Sequence, residues 1–209
     1  MIHPILHPGL NLGPHHGEAH DQAETLVFGF WVFLMSDLII FGLMFATYVT
    51  MANPVGLAGG PGPNEAFDIT SVFAQTMILL VSSLTFGMAT LAMRHEEGRG
   101  RIALWLLVTL ALGLAFLTME LRDFAHMIAV GAGPTRSGFL SGFWGLVPLH
   151  GLHVASGCIW ILIMLAQMRV FDLIPLVKTR LLRLGLFWHF LDLVWIGIFT
   201  IVYLSGLRT

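Results

Sequence analysis

Charge is what this chain lacks most. Of its 209 residues only 11% are Asp, Glu, Lys or Arg, while 56% are hydrophobic and the mean hydropathy is +0.84. Such a composition excludes an ordinary water-soluble domain, whose charged fraction is about a quarter. There is one cysteine, Cys158, so no internal disulfide can form, and its setting in an apolar run points to core packing. The first 26 residues contain neither Lys nor Arg, which removes the basic start of a cleavable signal peptide, so the first span is expected to insert uncleaved. A net charge of −2 and the absence of a dense basic run give nucleic acid nothing to bind and offer no polybasic lipid switch. Nucleophile elbows, phosphate loops, cysteine-pair metal motifs and zinc-protease signatures are missing too.

What is present is length without polarity. A helical span needs about 20 mostly apolar residues, and five stretches qualify: 27–51, 70–93, 102–121, 139–168 and 184–207. These runs are continuous and rich in Leu, Phe and Met, whereas a barrel would show alternating segments of about ten residues. The expected fold is all-α, an integral membrane bundle of five transmembrane helices over residues 27–209, preceded by a histidine-rich tail over residues 1–26. That tail carries His3, His7, His15, His16 and His20 among Pro and Gly without hydrophobic periodicity and reads as disordered, with metal binding the lesser alternative. The Gly/Pro-rich loop after the first span reads as an irregular turn.

Loop charge sets the orientation. Arg94, Arg99 and Arg101 lie between the second and third spans, and Arg169, Lys178, Arg180 and Arg183 between the fourth and fifth. These seven share one side, against Arg122, Arg136 and Arg208 on the other. The positive-inside rule then places the amino terminus in the cytoplasm and the carboxyl terminus in the periplasm.

A few ionisable residues interrupt the spans: Asp37, Glu120, His150, His153, His189 and Asp192. Charge at membrane depth is expensive, so such residues face partners or water. His150 and His153 are three apart, as are His189 and Asp192, and each pair therefore shares one side of its helix. At a rise of 1.5 Å per residue, Asp37 lies about 15 Å from the start of its predicted span, His150 about 17 Å and Asp192 about 12 Å, all near the midplane. Asp37, His150, His153, His189 and Asp192 are therefore expected to join in one interhelical network. Glu120 ends the third predicted span, where Arg122 is its nearest candidate partner; a solvated interfacial charge and a functional group are equally open readings. A haem needs axial imidazoles on opposite faces of its ring, which His150 and His153 cannot supply, though His150 with His189 would. A di-iron site wants Glu-x-x-His pairs from facing helices, and none occurs in these spans. The expectation is therefore no catalytic, cofactor or metal site in this chain, only a buried polar set with structural, lipid-related or proton-related roles.

The remaining features are packing signals. Trp31, Trp105, Trp144 and Trp188 fall towards predicted span ends, as an aromatic belt requires, with Trp160 and Trp195 deeper. Pro148 predicts a kink just before His150, opening a small pocket. Gly142, Gly145, Gly151, Ala155, Ser156 and Gly157 predict close helix contact along the fourth span.

Several runs, in order, resemble one family. They are Phe28-Gly29-Phe30-Trp31 leading to Ser36-Asp37 and Phe45-Ala46-Thr47-Tyr48; Gly133-Pro134-Thr135-Arg136-Ser137-Gly138-Phe139-Leu140; His150-Gly151-Leu152-His153-Val154; and Phe187-Trp188-His189-Phe190-Leu191-Asp192-Leu193-Val194-Trp195. Together they resemble subunit III of the haem-copper respiratory oxidases, most closely the five-helix form of bacterial bo-type ubiquinol oxidases. The resemblance covers nearly the whole chain after the tail. It implies a subunit of the bacterial cytoplasmic membrane that binds no haem or copper itself and packs beside a catalytic subunit I carrying both. It implies further partners in subunit II, a small subunit IV, phospholipids and, through the complex, ubiquinol. It also places Asp37 where family members carry a buried acidic residue, often Glu, and suggests support of proton uptake and turnover stability. Seven-helix members have two further helices at the amino end, and their absence here favours the quinol-oxidising branch. Other readings are an accessory chain of a nitric oxide reductase, a small proton-coupled transporter, and a stand-alone haem or di-iron enzyme.

Overall fold

A computed structural model describes residues 16–62 and 68–204, with side-chain surroundings from Ala23 onward. His3, His7, His15 and Arg208 lie outside the described residues, as do the side chains of His16 and His20. The described residues form five long helices: α1 (His16–Met51), α2 (Ile69–Arg94), α3 (Arg99–Ala129), α4 (Gly138–Phe171) and α5 (Pro175–Ile198), the last continuing as a π-helical turn, Phe199–Leu204. All five are long and apolar enough to cross a membrane, and the chain is a multi-pass membrane protein.

The helices outrun the hydrophobic stretches that announce them. Helix α1 begins eleven residues before the predicted start at residue 27, inside the segment read as a disordered tail. Hydropathy registers only the apolar part of a helix, whereas residues such as Glu18, Ala19, Gln22, Ala23 and Glu24 are good helix formers without being apolar. Helix α3 likewise runs eight residues past the predicted end at 121, and α5 begins nine before 184. Local chemistry marks several starts. The Asp68 carboxylate accepts from Thr70 N–H at 3.0 Å, the Ser137 hydroxyl accepts from Leu140 N–H at 3.2 Å, and Pro175 occupies the first turn of α5.

Helices α2, α3, α4 and α5 close a ring, α2 against α3, α3 against α4, α4 against α5 and α5 back against α2, while α1 packs outside it on α4 and α5. Hydroxyls fasten α5 to α2. Trp188 Nε1–H donates to Ser82 Oγ at 3.1 Å, and Trp195 Nε1–H donates to Thr76 Oγ1 at 3.0 Å. Trp188 is therefore not a belt residue. It is 2% exposed and thirteen residues inside the true start of α5, because that helix begins earlier than its hydropathy suggests.

Helix α1 touches the ring along one stripe. Phe30, Leu34, Asp37, Phe41, Met44 and Tyr48 recur at alternating spacings of four and three and are buried or half-buried, with Ala23, Val27, Met35 and Phe45 extending and flanking the stripe. The facing stripe of α4 begins with glycines. A Cβ on Gly142 would lie 3.2 Å from the Tyr48 Cα, and one on Gly145 3.7 Å from the Met44 sulfur. Small residues thus let the two backbones close up, as the sequence predicts. Helix α4 continues through Pro148, and Cys158 is buried in the core. At the far end, Tyr48 O–H donates to the Val202 carbonyl at 3.2 Å, satisfying a backbone group of the terminal turn.

Candidate functional site

The midplane of α1 holds its one acid within the spanning segment after Glu24. Asp37 lies fourteen residues from Ala23 and fourteen from Met51, about 21 Å from either end. Because it falls on the stripe facing α4, it meets His153, whose Nε2 is 3.2 Å from Asp37 Oδ2. The other imidazole nitrogen fixes the tautomer. His153 Nδ1 is 2.7 Å from the Leu149 carbonyl, which only accepts, so Nδ1 carries hydrogen. Nε2 and Oδ2 approach closely without the alignment of a hydrogen bond, Oδ2 having no such partner among the described residues. Phe41 closes over the imidazole at a ring separation of 5.3 Å.

One turn earlier on α4, His150 points elsewhere. It is fully buried, its Nε2–H donates to the Leu191 carbonyl of α5 at 3.2 Å, and its Nδ1 has no hydrogen-bond partner among the described residues. Phe116 stands edge-on to it at 5.8 Å and Trp195 tilts over it at 5.1 Å. The two histidines share a helix side, yet one serves α1 and the other α5.

Glu120 is not a solvated charge. It sits nine residues before the end of α3 and is 3% exposed, while Arg122 is exposed and makes no ion pair with it among the described residues. The carboxylate lies against Gly151, where an added Cβ would collide with it, and Oε1 has no hydrogen-bond partner among the described residues. Three residues on, Asp123 is well satisfied, accepting from Ser71 Oγ at 2.9 Å and Gln75 Nε2 at 2.6 Å. Glu120, Asp123, Gln75 and Tyr203 line one cavity with Asp68 and His126.

On α5 the pair converges on one residue of α2. His189 is exposed at the ring's outer surface, with Nδ1 2.6 Å from Ser83 Oγ. Asp192 is 7% exposed and its carboxyl lies against the same Ser83 side chain, although neither oxygen has a well-aligned hydrogen bond among the described residues. The five residues expected in one network are thus distributed over three sites: Asp37 with His153, His150 with Leu191, and His189 and Asp192 at Ser83. His150 and His189, the pair open to a haem reading, engage different elements. Among the described residues no group of three His, Cys, Asp or Glu side chains could hold a metal ion.

Sequence reasoning missed Asp123, Ser71, Gln75, Ser83 and Tyr203. Asp123 was within reach, being three residues from Glu120 and hence on the same helix side. The others are contributed by α2 and the terminal turn, and only tertiary packing brings them near.

An open apolar groove runs between α1, α2 and α5 at the end where the seven basic residues gather. It is about 390 Å³ in volume and lined by Val27, Gly87, Leu91, Arg94, Leu186 and His189 among others. The same end is tied by an exposed contact, Arg99 to Asp172 at 3.7 Å, and a part-buried one, Arg180 Nη1 to Gln167 at 2.9 Å.

Comparison with known proteins gives a consistent set. The family described as cytochrome c oxidase subunit III matches residues 9–207. The chain is 47% identical over 195 residues to the cytochrome bo(3) ubiquinol oxidase subunit 3 of Pseudomonas aeruginosa, covering 93% of this chain and 92% of that one. It is 48% identical over 187 residues to the protein of that name from Pseudomonas putida, covering 90% and 89%. To the quinol oxidase subunit 3 of Bacillus subtilis it is 40% identical over 189 residues, covering 89% and 91%.

Proposed function

Because the chain belongs to the cytochrome c oxidase subunit III family, we propose that it is the non-catalytic third subunit of a proton-pumping ubiquinol oxidase in a bacterial cytoplasmic membrane. The observation that carries this reading is the similarity to bo(3) ubiquinol oxidase subunits along about nine-tenths of both chains. Haem and copper then reside in a partner subunit I, beside subunit II and a small subunit IV. Ubiquinol is oxidised and oxygen reduced to water there, not in this chain. Support comes from how the polar groups of the spans are used: Asp37, His150, His153 and His189 meet neighbouring helices. Within this assignment the chain supports assembly and sustained proton uptake, and the groove at Arg94 takes a phospholipid, acyl chain on the apolar wall and head group towards the arginine.

Mild-detergent purification through a tag on this chain tests the assignment. A haem- and copper-bearing partner that consumes oxygen with quinol is the expected companion. A partner that instead reduces nitric oxide would shift the reading to an accessory chain of that enzyme. A lone colourless chain that moves a solute with protons would replace it by a transporter.

A further inference from the structure

The cavity beside Glu120 is not explained by a structural role. It lies between α2, α3, α4 and the terminal turn, with a volume of about 30 Å³. A water molecule needs roughly 10–15 Å³ of such space and two to four polar partners. The cavity therefore has room for about two. Glu120 supplies the strongest demand, a carboxyl 3% exposed that lines the cavity and whose Oε1 has no hydrogen-bond partner among the described residues. Burying such a group unsatisfied is costly, and the wall opposite gives it no cation. From α2 comes Gln75, from α3 Asp123, from the terminal turn Tyr203 and from α4 the apolar Phe143, with His150 next to the contacting Gly151. Asp68 and His126, also in the lining, are exposed, so the cavity reaches the surface at the end where α2 starts and α3 finishes.

We propose that this cavity is a water site: one or two water molecules bond the Glu120 carboxyl and link it past Asp123 to the surface at Asp68 and His126, so that Glu120 exchanges its proton with the aqueous phase at that end. In each exchange the carboxylic O–H bond breaks as its proton passes to water, and another proton returns along the same molecules. No electron moves. The route is one-sided, because beyond Glu120 the interior is closed by Gly151, Phe116 and the aromatic walls of His150. The inference rests on the cavity and not on the oxidase assignment.

Infrared spectroscopy of the assembled complex in lipid nanodiscs tests it without turnover. The spectrum of the wild type minus Glu120→Gln should contain one protonated-carboxyl stretch, and transfer to D2O should shift it within minutes. Gln75→Leu and Asp123→Asn remove polar walls of the route and should each slow that shift about tenfold, the effect of losing one hydrogen bond. If Glu120→Gln does not assemble, Gly151→Ala assigns the band instead, since its new Cβ meets the Glu120 carboxylate and displaces that band. The inference is overturned if Glu120 gives no protonated band, if the band takes hours to exchange, or if both wall variants exchange at the wild-type rate.

Discussion

At the scale of single residues, the sequence names the costly groups and is silent about their partners. An acid in the middle of an apolar run is visible at once, and the three–four spacing of Phe30, Leu34, Phe41 and Tyr48 around Asp37 even says which way it points. That His153 rather than His150 receives it depends on the rotation of α4, which its all-round apolar sequence does not encode. The close approach of Asp37 and His153 inside the bundle makes the pair sensitive to substitution on either side. Asp37→Asn and His153→Gln are each expected to destabilise the bundle. Their double-mutant cycle should return a coupling of roughly 0.5–2 kcal/mol, the range of polar contacts between membrane helices. Thermal or detergent unfolding measures it, and a coupling of zero would mean that the two side chains are neighbours without interaction. In the assembled oxidase, Asp37→Asn should shorten turnover lifetime or alter pumping while the haem absorbance stays intact, since the pair lies in this chain and not at a redox centre.

At the scale of helices, existence was legible and extent was not. Five apolar runs became five spans, but each boundary read from hydropathy fell short wherever polar helix formers continued the helix. Helix α3 shows the cost of that error: a boundary at residue 121 put Glu120 at the interface, whereas the continuation to Ala129 buries it. The small residues of α4 were informative because their role is geometric. They permit a graded prediction. Gly142→Ala sets a methyl 3.2 Å from the Tyr48 backbone, which cannot swing aside, and should cost about 1–3 kcal/mol through displacement of α1. Gly145→Ala meets only the Met44 sulfur at 3.7 Å, an ordinary contact, and should be close to neutral. Unfolding of the two variants side by side checks this; equal losses would show that the stripe is not what seats α1.

For the whole molecule, five spans put the start of α1 and the end of α5 on opposite sides of the bundle. We propose that the concentration of Arg94, Arg99, Arg101, Arg169, Lys178, Arg180 and Arg183 at one end orients it by the positive-inside rule. Reporter fusions should therefore find the amino terminus cytoplasmic and the carboxyl terminus periplasmic, and the reverse pattern would also move the Glu120 water route from the periplasmic to the cytoplasmic face. The closed ring of α2 to α5 was not legible, because apolar helices with lipid on one side and protein on the other carry no strong periodicity. Helix α1 stands apart from that ring. It precedes α4 and α5 in the chain, yet its seats on them are finished only some 150 residues later, at Leu204, and His153, the partner of Asp37, follows that acid by 116 residues. At a synthesis rate of about 5–20 residues per second, the nascent segment waits roughly six to twenty-three seconds in the bilayer with Asp37 unmatched. During that interval the translocon or an insertase must shelter the acid, which makes biogenesis, rather than the finished bundle, the stage most exposed to a defect in α1.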